Sequence, residues 1–87
     1  MARDLRVLVF REGDVFVAQC LEYDICTFAA DLGLLRQRID GQIESERQLS
    51  SEMHGRDFAG IQPAPEIFLK MWDDAPRLSK VVARLVV

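Results

Sequence analysis

Residues 15–25 read Val-Phe-Val-Ala-Gln-Cys-Leu-Glu-Tyr-Asp-Ile, and this stretch decides the fold. Its first seven residues are apolar or small at almost every position, which is typical of a largely buried β-strand. Another apolar run, residues 5–11, precedes it, and the glycine of Glu12-Gly13-Asp14 between the two runs favours a tight reversal. We therefore predict an antiparallel hairpin of strands 5–11 and 15–21.

A third strand and a long helix are predicted to follow the hairpin. Residues 25–30 form a further apolar run, and Asp31 is a good helix N-cap because its carboxylate can accept hydrogen bonds from the free amides of the first turn. We predict that the helix ends near Ser51, with Ser50 and Ser51 marking a fraying end. Apolar residues recur along it at helical spacing, and they are Leu32, Leu35, Ile39, Ile43 and Leu49.

The second half of the chain predicts a loop, a short helix and a last strand. Residues 54–65 are rich in glycine and proline, residues 66–74 are framed by Pro65 and Pro76 as a short helix, and residues 80–87 are rich in valine. The predicted fold class is α+β, ordered β-β-β-α-(short α)-β. Its four-stranded, mainly antiparallel sheet packs on one long helix.

Length and composition predict a single domain and self-association. The chain has 87 residues, of which 49% are hydrophobic, so residues 1–87 form one packed domain. A chain of this size buries only about 60–65% of its unfolded surface. Both faces of the predicted hairpin are apolar, and one helix covers only one of them. We expect residues 54–76 to cover part of the other face and self-association to cover the rest, so we predict a homo-oligomer, a dimer or larger.

Charge and hydropathy limit the kinds of partner and the cellular location that can be expected. The net charge is −3, whereas a free-standing nucleic-acid-binding domain usually carries a basic patch, so we expect no direct DNA or RNA binding. An acidic chain is better suited to a basic protein partner. No window approaches the ~20 apolar residues of a membrane span and the first residues lack a signal-peptide core, so we expect a cytoplasmic protein without membrane contact.

The cysteines and the single histidine favour structural roles. Cys20 and Cys26 fall on the second and third predicted strands, where reduced thiols behave as small buried hydrophobes. A redox pair or a metal site is the alternative, although only His54 exists to complete such a site. His54 lies in a polar loop and is expected at the surface, the alternative being a general base or proton sensor. We predict no catalytic residue, no metal ligand and no cofactor.

Five residues are candidates for binding a partner. Glu22 and Asp24 flank Tyr23 in the turn after the second strand, and they can form either a solvated turn or an acidic, aromatic-anchored lip for a basic partner. Phe68 and Trp72 are spaced i,i+4 on the short helix. Such a pair can belong to the core or to an interface with a subunit or partner.

Residues 12–25 contain in order a glycine, an aromatic residue, valine, alanine, cysteine–leucine, an acidic residue and aspartate–isoleucine. This pattern resembles that of the HicB family of antitoxin-like proteins. The resemblance implies a partial RNase H-like fold and binding to HicA, a small basic ribonuclease toxin. Many members also carry a C-terminal DNA-binding segment. None follows the fourth strand in this sequence, so we expect no operator binding by this chain.

An RNase H-like fold raises the question of metal-dependent nuclease activity. That chemistry needs several converging carboxylates around two metal ions, yet the centre of the first strand is Val7-Leu8-Val9. The prediction is therefore a non-enzymatic protein-binding module that resembles HicB antitoxins and neutralises a small basic ribonuclease toxin by occlusion. The alternative is a stand-alone oligomeric HicB-like domain, ligand-binding or scaffolding, with no toxin partner.

Overall fold

A computed structural model describes the backbone of residues 2–86 and the side chains of residues 4–84. Four strands form one sheet in the order β3-β2-β1-β4, and every neighbouring pair is antiparallel. The elements are β1 (Ala2–Glu12), β2 (Val15–Cys20), β3 (Cys26–Ala29), α1 (Leu32–His54), α2 (Glu66–Asp74), a 3₁₀ turn (Arg77–Ser79) and β4 (Lys80–Val86). The predicted α+β class, with its long helix, short helix and antiparallel sheet, is confirmed. Val87, the last residue of the predicted fourth strand, lies outside the described residues.

The two-residue period of the strands divides the sheet into two faces. On β1, Leu5 and Val7 point to the face that packs against α1, which we call the inner face. Leu8 and Phe10 point to the opposite face, against α2, which we call the outer face. Gly13 has a φ of 61° in the hairpin turn, a conformation that glycine adopts without a Cβ clash.

Helix α1 begins as predicted and continues past Ser51. The Asp31 carboxylate accepts a hydrogen bond from the Leu34 amide at 2.8 Å, which confirms the predicted N-cap. The helix ends at Gly55, whose φ of 74° is the left-handed conformation of a helix C-cap. Its amide donates to the Ser51 carbonyl, so three more residues join the helix than the sequence predicts.

The buried stripe of α1 differs from the predicted one at both ends. Leu35, Ile39 and Ile43 are buried, as predicted, but Leu32 and Leu49 are about half exposed. Ser50 takes the next core-facing position because it follows Ile43 by seven residues, close to two full turns, whereas a spacing of six residues turns Leu49 outward. The prediction of a fraying end at Ser50 is therefore wrong.

The outer face is covered by α2 and by the segment that leads to it. Leu8, Leu21 and Ala64 form a second small core, with residues of β1, α2 and its C-cap packed around it: Phe10, Phe68, Leu69, Met71, Trp72 and Ala75. The Ala64 amide donates to the Leu21 carbonyl at 3.1 Å, which attaches the long loop to the end of β2. No helix among the described residues is both long and apolar enough to cross a bilayer.

The two cysteines have different environments. Cys20 is fully buried on the inner face, as predicted. Cys26 is exposed on the outer face, so the prediction of burial is wrong for this residue. Cys26 lies on the edge strand β3, where it pairs with Gln19 of β2. Helix α2 makes its apolar contacts with β1, at a distance from this edge. No disulfide joins the two thiols.

Candidate functional site

Glu22, Arg6 and Trp72 form a chain of contacts on the outer face. The Glu22 carboxylate accepts hydrogen bonds from the Arg6 amide at 2.7 Å and from its Nε at 2.6 Å. The Arg6 guanidinium lies 5.8 Å from the centre of the Trp72 ring, and the Lys80 ammonium lies at the same distance. Cations near an aromatic ring are attracted by its electron-rich face. Two of the predicted partner-binding residues are thus brought together, although the Glu22 charge already has an internal partner.

Tyr23 turns to the opposite side of the sheet. Its ring stacks on Phe58 with the ring centres 4.1 Å apart, and it packs at the margin of the inner core. Phe58 is buried with a φ of 60°, which is unusual for a bulky residue. Its amide donates to the Ser50 hydroxyl at 2.6 Å. Tyr23 therefore anchors the long loop on the inner side and does not share a surface with Glu22.

Asp24 returns to the outer side, where it orders the turn. Its carboxylate accepts a hydrogen bond at 3.0 Å from the side-chain amide of Gln19, a buried outer-face residue. The same amide donates to the Cys20 carbonyl at 3.0 Å, and the Asp24 main-chain amide donates to the Gln62 carbonyl at 2.7 Å. Asp24 remains exposed, so its carboxylate also faces solvent. The turn and the loop hold this charge in a fixed position.

An apolar row that the sequence reasoning did not identify crosses three strands of the outer face. Phe10 pairs with Val17, and Val17 pairs with Phe28. Directly paired residues point to the same face of a sheet, so these three form what we call the outer apolar row. Phe68 extends it, because its ring centre lies 6.3 Å from that of Phe10. Phe28 is 60% exposed, although Val17, its partner on the neighbouring strand β2, is buried.

Carboxylates lie beside this row. Glu12 follows Phe10 by two residues on β1 and so occupies the same face. Burial raises the pKa of the Cys26 thiol. The negative charges of Asp24 and Glu12 raise this pKa further, so both carboxylates lie near the thiol. This end of the outer face therefore combines the Phe28 ring with the carboxylates of Asp24 and Glu12, while the cations of Arg6 and Lys80 lie farther along the same face at Trp72.

The candidate site offers aromatic and charged contact surface. Within residues 4–84, no group of three or more histidine, cysteine or acidic side chains is arranged to hold a metal ion. His54 is the last residue of α1 and is exposed, in agreement with its predicted surface position. Cys20 is buried with a raised pKa, which burial causes in the main, so its thiol is poorly suited to nucleophilic attack.

Searches with family models, of curated proteins and of solved structures each found no match. The resemblance to the HicB family thus stays a prediction.

A second apolar surface lies on the inner face. Helix α1 packs mainly on β3 and β2, and two adjoining hollows of about 250 and 230 Å³ lie between its first turn and the β1–β4 side of the sheet. Val9, Leu32 and Leu78 line both hollows. We call this surface the inner groove. Leu78, on the turn before β4, is 94% exposed.

Each edge of the sheet carries an arginine from α1. Arg38 donates to the Phe28 carbonyl on β3 at 2.8 Å, and Arg36 donates to the Val82 carbonyl on β4 at 3.4 Å. Hydrogen-bonded and non-hydrogen-bonded pairs alternate along the ladder, and the Phe28–Val17 pair lies three positions from the hydrogen-bonded Cys20–Ile25 contact, so the Phe28 carbonyl points away from β2. Positions 36 and 38 are about 200° apart around the helix, so the two side chains reach opposite edges.

The same reasoning applies to the β4 edge. The Arg6 carbonyl accepts from the Leu21 amide, so Arg6 directs its hydrogen-bonding groups to β2 and its partner on β4, Val82, directs its own outward. A charged side chain over an outward carbonyl is one way in which proteins discourage pairing between strand edges. Partners are therefore expected on the faces of this sheet.

Of the five predicted partner-binding residues, Glu22, Asp24, Phe68 and Trp72 lie on the outer side and Tyr23 lies on the inner side. Period-two alternation along the turn could have predicted this separation. The central contribution of Phe28 was missed because β3 is short and its pairing with Val17 cannot be read from local sequence. A role in binding stays a prediction for all five.

Proposed function

We propose that this chain is a non-enzymatic, cytoplasmic protein-binding module of the HicB-like type, which binds a small basic protein through its outer face. In this proposal a basic ribonuclease toxin is the partner, and inhibition follows because the bound module covers the toxin's active surface. Glu22, Asp24, Phe68 and Trp72 belong to or border the contact surface, and Phe28 lies at its centre.

The observation that carries the proposal is the exposed Phe28 ring on the same face as the carboxylates of Asp24 and Glu12. Large aromatic side chains supply contact area at a low entropic cost, and they are enriched among the residues that dominate binding energy. Neighbouring negative charge favours a basic partner and speeds its association. Asp24 supplies such charge in a pre-ordered turn, so little ordering is required on binding.

The alternative function, a stand-alone oligomeric domain without a toxin, is favoured by a different observation, the inner groove. An apolar hollow with a highly exposed leucine at its rim suits self-association whether or not a second protein binds the outer face. The two functions make different demands on the molecule, because only the first requires the aromatic outer surface.

The test is co-expression of this chain with the product of the adjoining reading frame, followed by calorimetric titration of the two purified proteins. The proposal expects a partner of under about 100 residues with an isoelectric point above about 9. Phe28→Ser should weaken binding by about tenfold or more, since full burial of a phenylalanine contributes roughly 1.5–3 kcal/mol.

Leu49→Ser is the matched control. Leu49 is 50% exposed and borders the 59–61 loop on α1, away from the outer face, so its loss should leave affinity unchanged. Binding should also weaken as salt is added, because screening acts on exposed charge pairs. An acidic partner, no small basic product in the adjoining frame, or full affinity of Phe28→Ser would each refute the proposal.

A further inference from the structure

We propose that the inner groove is the contact surface for a second copy of this chain, with Leu78 of each copy seated in the hollow of the other. The sequence predicts self-association on the face opposite the long helix, whereas this groove lies on the helix side. The structure places an apolar protrusion beside an apolar hollow on the same side of the sheet, which is the arrangement that a twofold contact between identical chains requires.

The protrusion is held in place before any contact forms. Leu78 is the middle residue of the 3₁₀ turn Arg77–Ser79, which is closed by a hydrogen bond from the Ser79 amide to the Pro76 carbonyl at 2.9 Å. Pro76 restricts the entry to this turn because its ring fixes φ. An exposed leucine on a fixed turn loses little backbone freedom on binding, so most of its burial energy is available to the contact.

The hollow is apolar, and of the two arginines that line it Arg36 is paired with a carboxylate whereas Arg11 donates only to the neutral Gly13 carbonyl. Val9, Leu32 and Val81 line its floor and one wall. Arg36 lies at its edge, where its Nε donates to the Asp40 carboxylate at 3.0 Å, and the pair is neutral in sum. A second copy therefore meets no uncompensated charge at this edge. At the other end, Arg11 lies 5.8 Å from the centre of the Phe16 ring.

The arginines over both sheet edges disfavour extension of the sheet, so a second copy is expected to pack face to face on the groove.

Sedimentation equilibrium on the full chain tests the proposal. Wild-type protein should have about twice its 9.9-kDa mass at micromolar concentration. Leu78→Ser should raise the dimer dissociation constant by about 100-fold, since each dimer loses two buried leucines. Leu78 is almost fully exposed in the single chain, so this variant should keep the wild-type far-UV circular dichroism spectrum, and any fall in its Tm should come from lost dimerisation alone. Leu49→Ser, a half-exposed leucine outside the groove, should dimerise like the wild type.

Several results would overturn the proposal: a wild-type monomer at about 100 μM, an assembly larger than a dimer, or equal dissociation constants for Leu78→Ser and Leu49→Ser. Phe28→Ser separates this inference from the proposed function. It should weaken binding of the basic partner by about tenfold or more while leaving the dimer intact, and loss of the dimer in Phe28→Ser would place the self-contact on the outer face and refute the groove.

Discussion

Replacement of Ser50 by alanine is expected to destabilise the domain by removing one buried hydrogen bond. The Ser50 hydroxyl accepts from the Phe58 amide at 2.6 Å, and it lies within hydrogen-bonding distance of the Glu46 carbonyl at 2.7 Å. It therefore joins the last turns of α1 to the loop that carries Phe58. That loop in turn holds Tyr23 through the stacked rings.

The magnitude follows from burial and backbone conformation. Loss of one partner of a buried hydrogen bond costs about 1–3 kcal/mol. Phe58 also holds a positive φ, a conformation that costs of order 1–3 kcal/mol and persists only when surrounding contacts impose it. With the Ser50 contact removed, a loss of about 2 kcal/mol is expected. For a domain of this size that lowers Tm by roughly 8–16 °C.

Thermal and urea unfolding, followed by far-UV circular dichroism, measure the change. Ser51→Ala is the matched control, because it makes the same chemical change in the same helix and should alter stability by no more than about 0.5 kcal/mol. Amide exchange at Phe58 adds a local measurement, since its protection should fall in Ser50→Ala alone. Equal stabilities of the two variants, with unchanged exchange at Phe58, would refute the reasoning.

Two further predictions concern glycine and thiol chemistry. Gly41→Ala should stabilise the domain by about 0.5–1 kcal/mol, since Gly41 is exposed within α1 and an added Cβ meets no atom within 4 Å. Gly55→Ala should destabilise the domain by about 1–2 kcal/mol, because Gly55 has a φ of 74°. Unfolding curves that rank the two variants in the opposite order would contradict this prediction. In the folded protein iodoacetamide should alkylate Cys26 and spare Cys20, and the rate should keep rising with pH beyond the usual thiol range because burial, Asp24 and Glu12 raise the pKa of Cys26. Glu12→Gln should move this rate profile to lower pH, and an unchanged profile would show that the Glu12 charge does not act there.

The raised pKa of Cys20 determines whether this thiol makes the folded domain more or less stable as the pH rises. Burial raises the pKa of Cys20 in the folded state, so the folded chain holds this proton more tightly than the unfolded chain. The stability that the neutral thiol contributes is fully present below the usual thiol pKa. It is lost as the pH rises through the raised folded-state pKa.

Local sequence was sufficient to predict most of the fold. Alternation along β1 and β2, the glycine of the hairpin and the Asp31 cap each act over a few residues, and each produced the expected element. The end of α1 was placed too early because the serines were interpreted as a fraying signal. Gly55, just beyond the last turn, is the physical terminator, and a left-handed glycine cap was the available clue.

The candidate site could be predicted only in part, because it depends on contacts between distant segments. Glu22 and Trp72 meet through Arg6, which comes from a third segment of the chain. The exposure of Phe28 depends on which strand α2 covers. Neither the contact between Glu22 and Trp72 nor the exposure of Phe28 can be predicted from residue spacing along one element. The two-residue period of β3 does predict that Cys26 and Phe28 share one face of the sheet.

The two proposed surfaces are compatible because they lie on opposite faces of one sheet. Occupation of the inner groove by a second copy leaves Phe28 of each chain exposed, since that ring lies on the outer face. Arg36 and Arg38 stand between the faces at the two edges, where open strands would otherwise compete with both contacts. A dimer formed through the groove would therefore present two outer faces, and each could bind a basic partner independently.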